Sequence, residues 1–72
     1  MPGLIKRSFS VAGHRTSVAL EAEFWQALSA LAAARGQTLS ALVATEDATR
    51  DPARPLASSL RVLALGAARG ER

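Results

Sequence analysis

From Arg15 to Leu20 the chain alternates: Thr16, Val18 and Leu20 are set against Arg15, Ser17 and Ala19. Successive strand side chains point to opposite faces, so this stretch predicts a short strand with one apolar face and one polar or small face. The period then changes. Phe24, Leu28, Leu31 and Ala32 recur at helical spacing with Trp25 flanking them, predicting a helix from about Ala22 to Arg35. Glu21 and Glu23 favour its positive end, and Gly36 is placed to cap it in a left-handed conformation. Thr38 stands just before the next apolar-periodic run as an N-cap, and Leu39, Leu42 and Val43 form the stripe of a second helix. That helix turns acidic at Glu46 and Asp47 and ends near Thr49 or Arg50. Asp51-Pro52-Ala53-Arg54-Pro55 is a linker, since two prolines break any regular element. Leu56, Leu60, Leu63 and Ala67 share one face of a predicted third helix over 56–68, with Pro55 in its first turn. The apolar run Leu60–Leu65 also permits a strand; Gly66 and Gly70 suggest early fraying, and Arg69–Arg72 reads as a mobile tail.

Upstream of the strand the pattern is ambiguous. Ile5, Phe9 and Val11 sit at alternate positions, and Arg7 interrupts them. Residues 5–11 are either a second strand, turned back by Ala12-Gly13 onto His14–Ser17, or part of a flexible basic arm. The expected organisation is therefore an arm or hairpin strand over 1–13, a core over 14–50, a linker over 51–55 and a C-terminal helix and tail over 56–72. A lone strand cannot satisfy its backbone groups, and its most economical partner is the same strand from a second copy.

Size and composition push the same way. A chain of 72 residues forms one small domain, whose core seldom supplies more than ~3–5 kcal/mol, so oligomerisation is expected. Disulfides are excluded by the absence of cysteine, and a metal site is disfavoured by a single histidine, His14, which reads as a surface residue. Nine basic and six acidic residues leave a net charge of +3, a mild bias that admits nucleic acid as a partner. The N-terminal residues Met1–Arg7 lack an apolar signal core, and no run spans a bilayer, so the expected location is cytoplasmic. Catalytic chemistry has nothing to stand on: there is no Gly-rich phosphate loop, CxxC, HExxH or nucleophile elbow, so neither enzyme activity nor a cofactor is expected. Ser58-Ser59 reads as capping for the third helix, and Arg61 as an ion-pair partner of Glu46, Asp47 or Glu21. Phe24 and Trp25 read as packing residues because they lie on an apolar helix face.

Strand, helix, Gly-containing turn and capped helix over Arg15–Asp47 resemble the ribbon–helix–helix proteins of the Arc and MetJ type. Gly13-His14-Arg15-Thr16-Ser17-Val18 and Leu56-Ala57-Ser58-Ser59-Leu60-Arg61-Val62 resemble, more narrowly, short bacterial members with a C-terminal extension. The fold implied is mainly α with a short β-ribbon: an intertwined ribbon–helix–helix homodimer plus a third helix. The shared core would hold Thr16, Val18, Leu20, Phe24, Trp25, Leu28, Leu31, Leu39, Leu42 and Val43. The implied function is a dimeric DNA-binding regulator whose ribbon enters the major groove of double-stranded DNA. By position, Arg15, Ser17 and Ala19 would face base edges. Thr38, Leu39 and Ser40 would anchor a phosphate at a helix N-terminus, and Lys6 and Arg7 would add phosphate contacts. For DNA binding, Lys6, Arg7 and Arg15 must share one face. A homodimeric module for a protein partner, with little DNA affinity, is the alternative.

Overall fold

The computed structural model describes residues 3–70. Two strands are followed by three helices: β1 (Ile5–Val11), β2 (His14–Leu20), α1 (Ala22–Ala34), α2 (Leu39–Thr49) and α3 (Leu56–Ala68). β1 and β2 form an antiparallel hairpin in which Ile5 faces Leu20, Phe9 faces Thr16 and Val11 faces His14. Of the two readings of residues 5–11, the strand is the one adopted. The partner expected from a second copy is therefore supplied in cis, and the ribbon closes within one chain.

The alternation in β2 has the predicted phase: Val18 and Leu20 are buried, Thr16 half-buried, and Arg15 and Ser17 exposed. Phe9 and Val11 join them from β1, on the face that meets the helices. α2 packs against β1 and α3 against β2, while α1 packs most extensively on α3.

The core is built within the chain and corrects one expectation. Val18, Leu20, Trp25, Leu28, Leu31, Leu42 and Val43, assigned to a dimer core, are buried within the single chain, with Leu60 and Ala64 of α3 beside them. Thr16, Phe24 and Leu39 are only half-buried. Within α1 the roles of the aromatic pair are exchanged. Trp25 is buried, and its indole N–H donates to the Ile5 carbonyl at 2.8 Å, whereas Phe24 lies at the edge with the Arg61 guanidinium 5.8 Å above its ring. The buried stripe thus runs Trp25, Leu28, Leu31 and Ala32.

Helix ends follow the local rules. The Gln37 N–H reaches the Ala32 carbonyl (2.8 Å) and the Gly36 N–H the Ala33 carbonyl (3.1 Å), a Schellman closure that requires the positive φ of 68° at Gly36. Thr38 Oγ1 accepts from the Ala41 N–H at 3.0 Å, capping α2. α3 runs through Gly66 to Ala68 without the early fraying expected of it, and Pro55 stands at its N-cap instead of inside its first turn. Arg69 and Gly70 close α3 through N–H bonds to Leu65 and Ala67, while the rest of the predicted tail, Glu71 and Arg72, lies outside the described residues. Ser59 is not a cap. It is buried in the body of α3, and its hydroxyl donates to the Glu46 carboxylate, tying α3 to α2. Arg61 takes Glu21 as its partner at 3.1 Å. With its own backbone amide first and the Arg61 guanidinium second, Glu21 is held below the usual carboxylate range.

Candidate nucleic-acid interface

The hairpin turn determines which residues are presented together. Its two corner residues, Ala12 (φ 52°) and Gly13 (φ 82°), both have positive φ, the geometry of primed turns whose twist matches that of the flanking strands. Gly13 adopts it freely; Ala12 does so at a steric cost of roughly 1–2 kcal/mol. With this register Lys6 faces Ala19, Ser8 faces Ser17 and Ser10 faces Arg15. These six residues share one face of the ribbon because side chains alternate along each strand. All are exposed except Ala19, which is half-buried.

That face is small, polar and basic. The hydroxyls of Ser8 and Ser17 lie 3.0 Å apart and share a hydrogen bond across the strands. No carboxylate stands among the six. Lys6 and Arg15 mark its two ends: four residue steps separate Arg15 from Ala19, the partner of Lys6, or about 14 Å along the ribbon. Both strands keep one unpaired edge, since the sheet has only two strands.

The opposite face is apolar and docked. Phe9 and Trp25 pack with ring centroids 5.8 Å apart, and the Arg7 guanidinium sits 5.5 Å from the Trp25 ring. Arg7 therefore does not join Lys6 and Arg15. The strand register turns it to the other face, where an aromatic ring receives its charge. The requirement that all three share a face is met by two of them.

A set of backbone donors without intrahelical partners lies at the start of α2. The first N–H groups of a helix have no partner within it, and they carry its positive dipole end. Here Thr38 and Ser40 are exposed and Leu39 half-buried, with the Thr38 hydroxyl committed to the Ala41 N–H. The Leu39 and Ser40 amides are left without an intrahelical acceptor.

Sequence reasoning missed Ser8 and Ser10. The signal was the polar half of the pattern, Lys6, Ser8 and Ser10 between Ile5, Arg7, Phe9 and Val11. Arg7 obscured it by placing a charge in the apolar half. His14 is exposed at the start of β2, and no group of three or more metal-ligating side chains exists among the described residues. No helix among them is long and apolar enough to cross a membrane.

Comparison with known proteins places this arrangement. Residues 4–68 match a family model described as the ribbon-helix-helix domain, covering both strands and all three helices. Neither a curated protein nor a solved structure matches the chain.

Proposed function

The chain belongs to the ribbon-helix-helix domain family, whose members are in general DNA-binding regulators of transcription, and from that premise we propose that this protein reads double-stranded DNA through the Lys6–Ala19 face of its hairpin. The observation that carries the proposal is that face: exposed, free of carboxylates and only two strands wide. A major groove about 12 Å across admits a two-stranded ribbon, and strands lie about 5 Å apart.

Each residue has a role suited to its chemistry. Arg15 supplies the bidentate donor pair that recognises guanine. Ser17 and Ser8 share one hydrogen bond, so one hydroxyl proton stays free to turn toward a base or a phosphate. Ala19 has no polar group and suits a thymine methyl. Lys6 meets the phosphate backbone, as do the Leu39 and Ser40 amides beside the Thr38 cap. Arg7 is withdrawn from this set and steadies the ribbon instead.

The functional unit is proposed to be a homodimer in a cytoplasmic, bacterial setting. Its support is the family together with the unpaired edge on each strand, which presents free backbone donors and acceptors to a second copy. Two copies would read two half-sites.

The test compares wild type with Arg15→Ala on duplex DNA at two salt concentrations. Specific affinity is expected to fall by ~1–3 kcal/mol per half-site with relaxed preference at one base position, while the salt slope changes little. Lack of salt-sensitive binding by wild type to any duplex would sink the DNA reading and leave a protein-partner module. Binding that Arg15→Ala leaves untouched would remove the ribbon as the reading element.

A further inference from the structure

On the helical side of the molecule, away from the ribbon, α1, α2, the 50–55 linker and α3 border a half-open hollow of about 280 Å³. Its wall is mixed: Leu31, Val62, Leu63 and Ala67 form the apolar side, and Arg35, Arg54 and the Glu46–Ser59 pair the polar side. We infer that this hollow binds a small organic monoanion with an apolar body, its charged head between Arg35 and Arg54 and its body along Leu31 and Leu63.

Three observations carry the assignment. The first is charge. Arg50 is paired with Asp47, and Arg61 with Glu21, each at 3.1 Å, and Arg7 lies over Trp25. Arg35 and Arg54 have no carboxylate partner among the described residues, and both line the same hollow. The Glu46 carboxylate is already occupied by the Ser59 hydroxyl. Two guanidiniums against one carboxylate leave a single positive charge, which selects a monoanion.

The second is preorganisation. The backbone carrying Arg54 is pinned on both sides. Its N–H donates to the Asp51 carbonyl at 2.9 Å, and its carbonyl accepts from Arg50 Nη1 at 2.7 Å. The Asp51 carboxylate, the nearest acidic group in sequence, is used by the Ala53 N–H at 2.9 Å. Arg35 is fixed at the closed end of α1. The backbone ordering needed to present both guanidiniums is therefore complete before a ligand arrives.

The third is size. A volume of about 280 Å³ suits a head group and a short hydrocarbon body. A neighbouring hollow of about 450 Å³ shares Leu31, Arg35 and Ala67 and extends the apolar wall along α1 and α3. Ligand sites join an apolar surface to a few placed polar groups, and here each makes up about half of the lining. Since no ribbon residue lines it, its occupancy is independent of the DNA reading.

The probe is sodium octanoate, titrated into the full chain and followed by amide chemical shifts, with octanol and octylamine as controls. Octanoate is expected to give saturable shifts at Arg35, Arg54, Ser59, Val62 and Gly66, and the controls none there. The double variant Arg35→Gln/Arg54→Gln should weaken binding at least tenfold. Val62→Asp places a carboxylate at an exposed position of the wall, where folding tolerates it, and should abolish binding. The inference is overturned by absence of saturable shifts up to roughly 10 mM octanoate, by octanol or octylamine moving the same amides equally, or by a double variant that binds like wild type.

Discussion

The two faces of the hairpin are built from interleaved residues of the same two strands, yet they serve opposite ends. One carries Lys6, Ser8, Ser10, Arg15 and Ser17 to solvent beside the half-buried Ala19; the other carries Phe9, Val11, Val18 and Leu20 into the core. Neighbours along the chain are therefore poor guides to each other's role. Lys6 and Arg7 are adjacent cations, but one is open to a phosphate and the other lies over Trp25. In a domain this thin, the surface offered to a partner and the surface holding the fold together are one side chain apart.

The sharpest break of this contrast exchanges a carboxylate between the faces. Val18→Asp buries a charge without a partner and should cost about 3–5 kcal/mol, as much as a core of this size supplies in total. The variant is expected to lose its cooperative melting transition. Ser17→Asp, one residue away and exposed, should melt like wild type and fail to bind duplex DNA. Equal melting of both variants would mean that the faces are misassigned by one residue.

The adjacent cations give the next contrast. Arg7→Ala should lower stability by about 0.5–1 kcal/mol through the lost contact with Trp25, while the salt dependence of DNA binding keeps its slope. Lys6→Ala should do the reverse, weakening binding to all duplexes and flattening the slope with little change in melting. At the turn joining the strands, Ala12→Asn replaces a residue strained at positive φ with one that tolerates it. It should raise stability by ~1 kcal/mol, some 4–8 °C in a domain this small.

The smallest expected effect lies on the helical side. Because Glu21 is held below the usual carboxylate range, its pair with Arg61 adds stability above the ordinary glutamate pKa and loses it as the pH falls through the lowered folded value. Melting curves should separate Arg61→Gln from wild type near neutrality and bring the two together in acid. A difference that persists unchanged at low pH would assign the role of Arg61 to its packing on Phe24 instead.

Much of this was legible from residue pattern, and the misses have physical causes. β2 declared its faces because Val18 and Leu20 are buried while Arg15 and Ser17 are exposed, and Gly36 and Thr38 marked helix ends because few residues do those jobs. β1 was ambiguous because Arg7 occupies an inward position. Arg7 stays exposed at the rim of that face, over an aromatic ring 18 residues distant. The exchange of Phe24 and Trp25 had a similar origin. Both fit an amphipathic helix, and the choice rests on the Ile5 carbonyl, which reaches only the indole N–H. Ser59 looked like a cap because its partner, Glu46, belongs to another helix. β2 read alone lacks a partner strand, and residues 5–11 supply one in cis. In the candidate interface, Arg15, Ser17 and Ala19 followed from one strand, whereas Ser8 and Ser10 needed the register of two.

The chain has a single tryptophan, and its position makes it an optical gauge of ribbon docking. Trp25 stacks near Phe9, lies beneath Arg7 and donates to the Ile5 carbonyl, so three of its contacts come from β1 and vanish if that strand lifts from α1. Its emission should shift to the red when the hairpin undocks and stay unchanged when a ligand meets only the outer face. Fluorescence of the unlabelled protein thus separates a ribbon that reads DNA in place from one that must come away from the helices to do so.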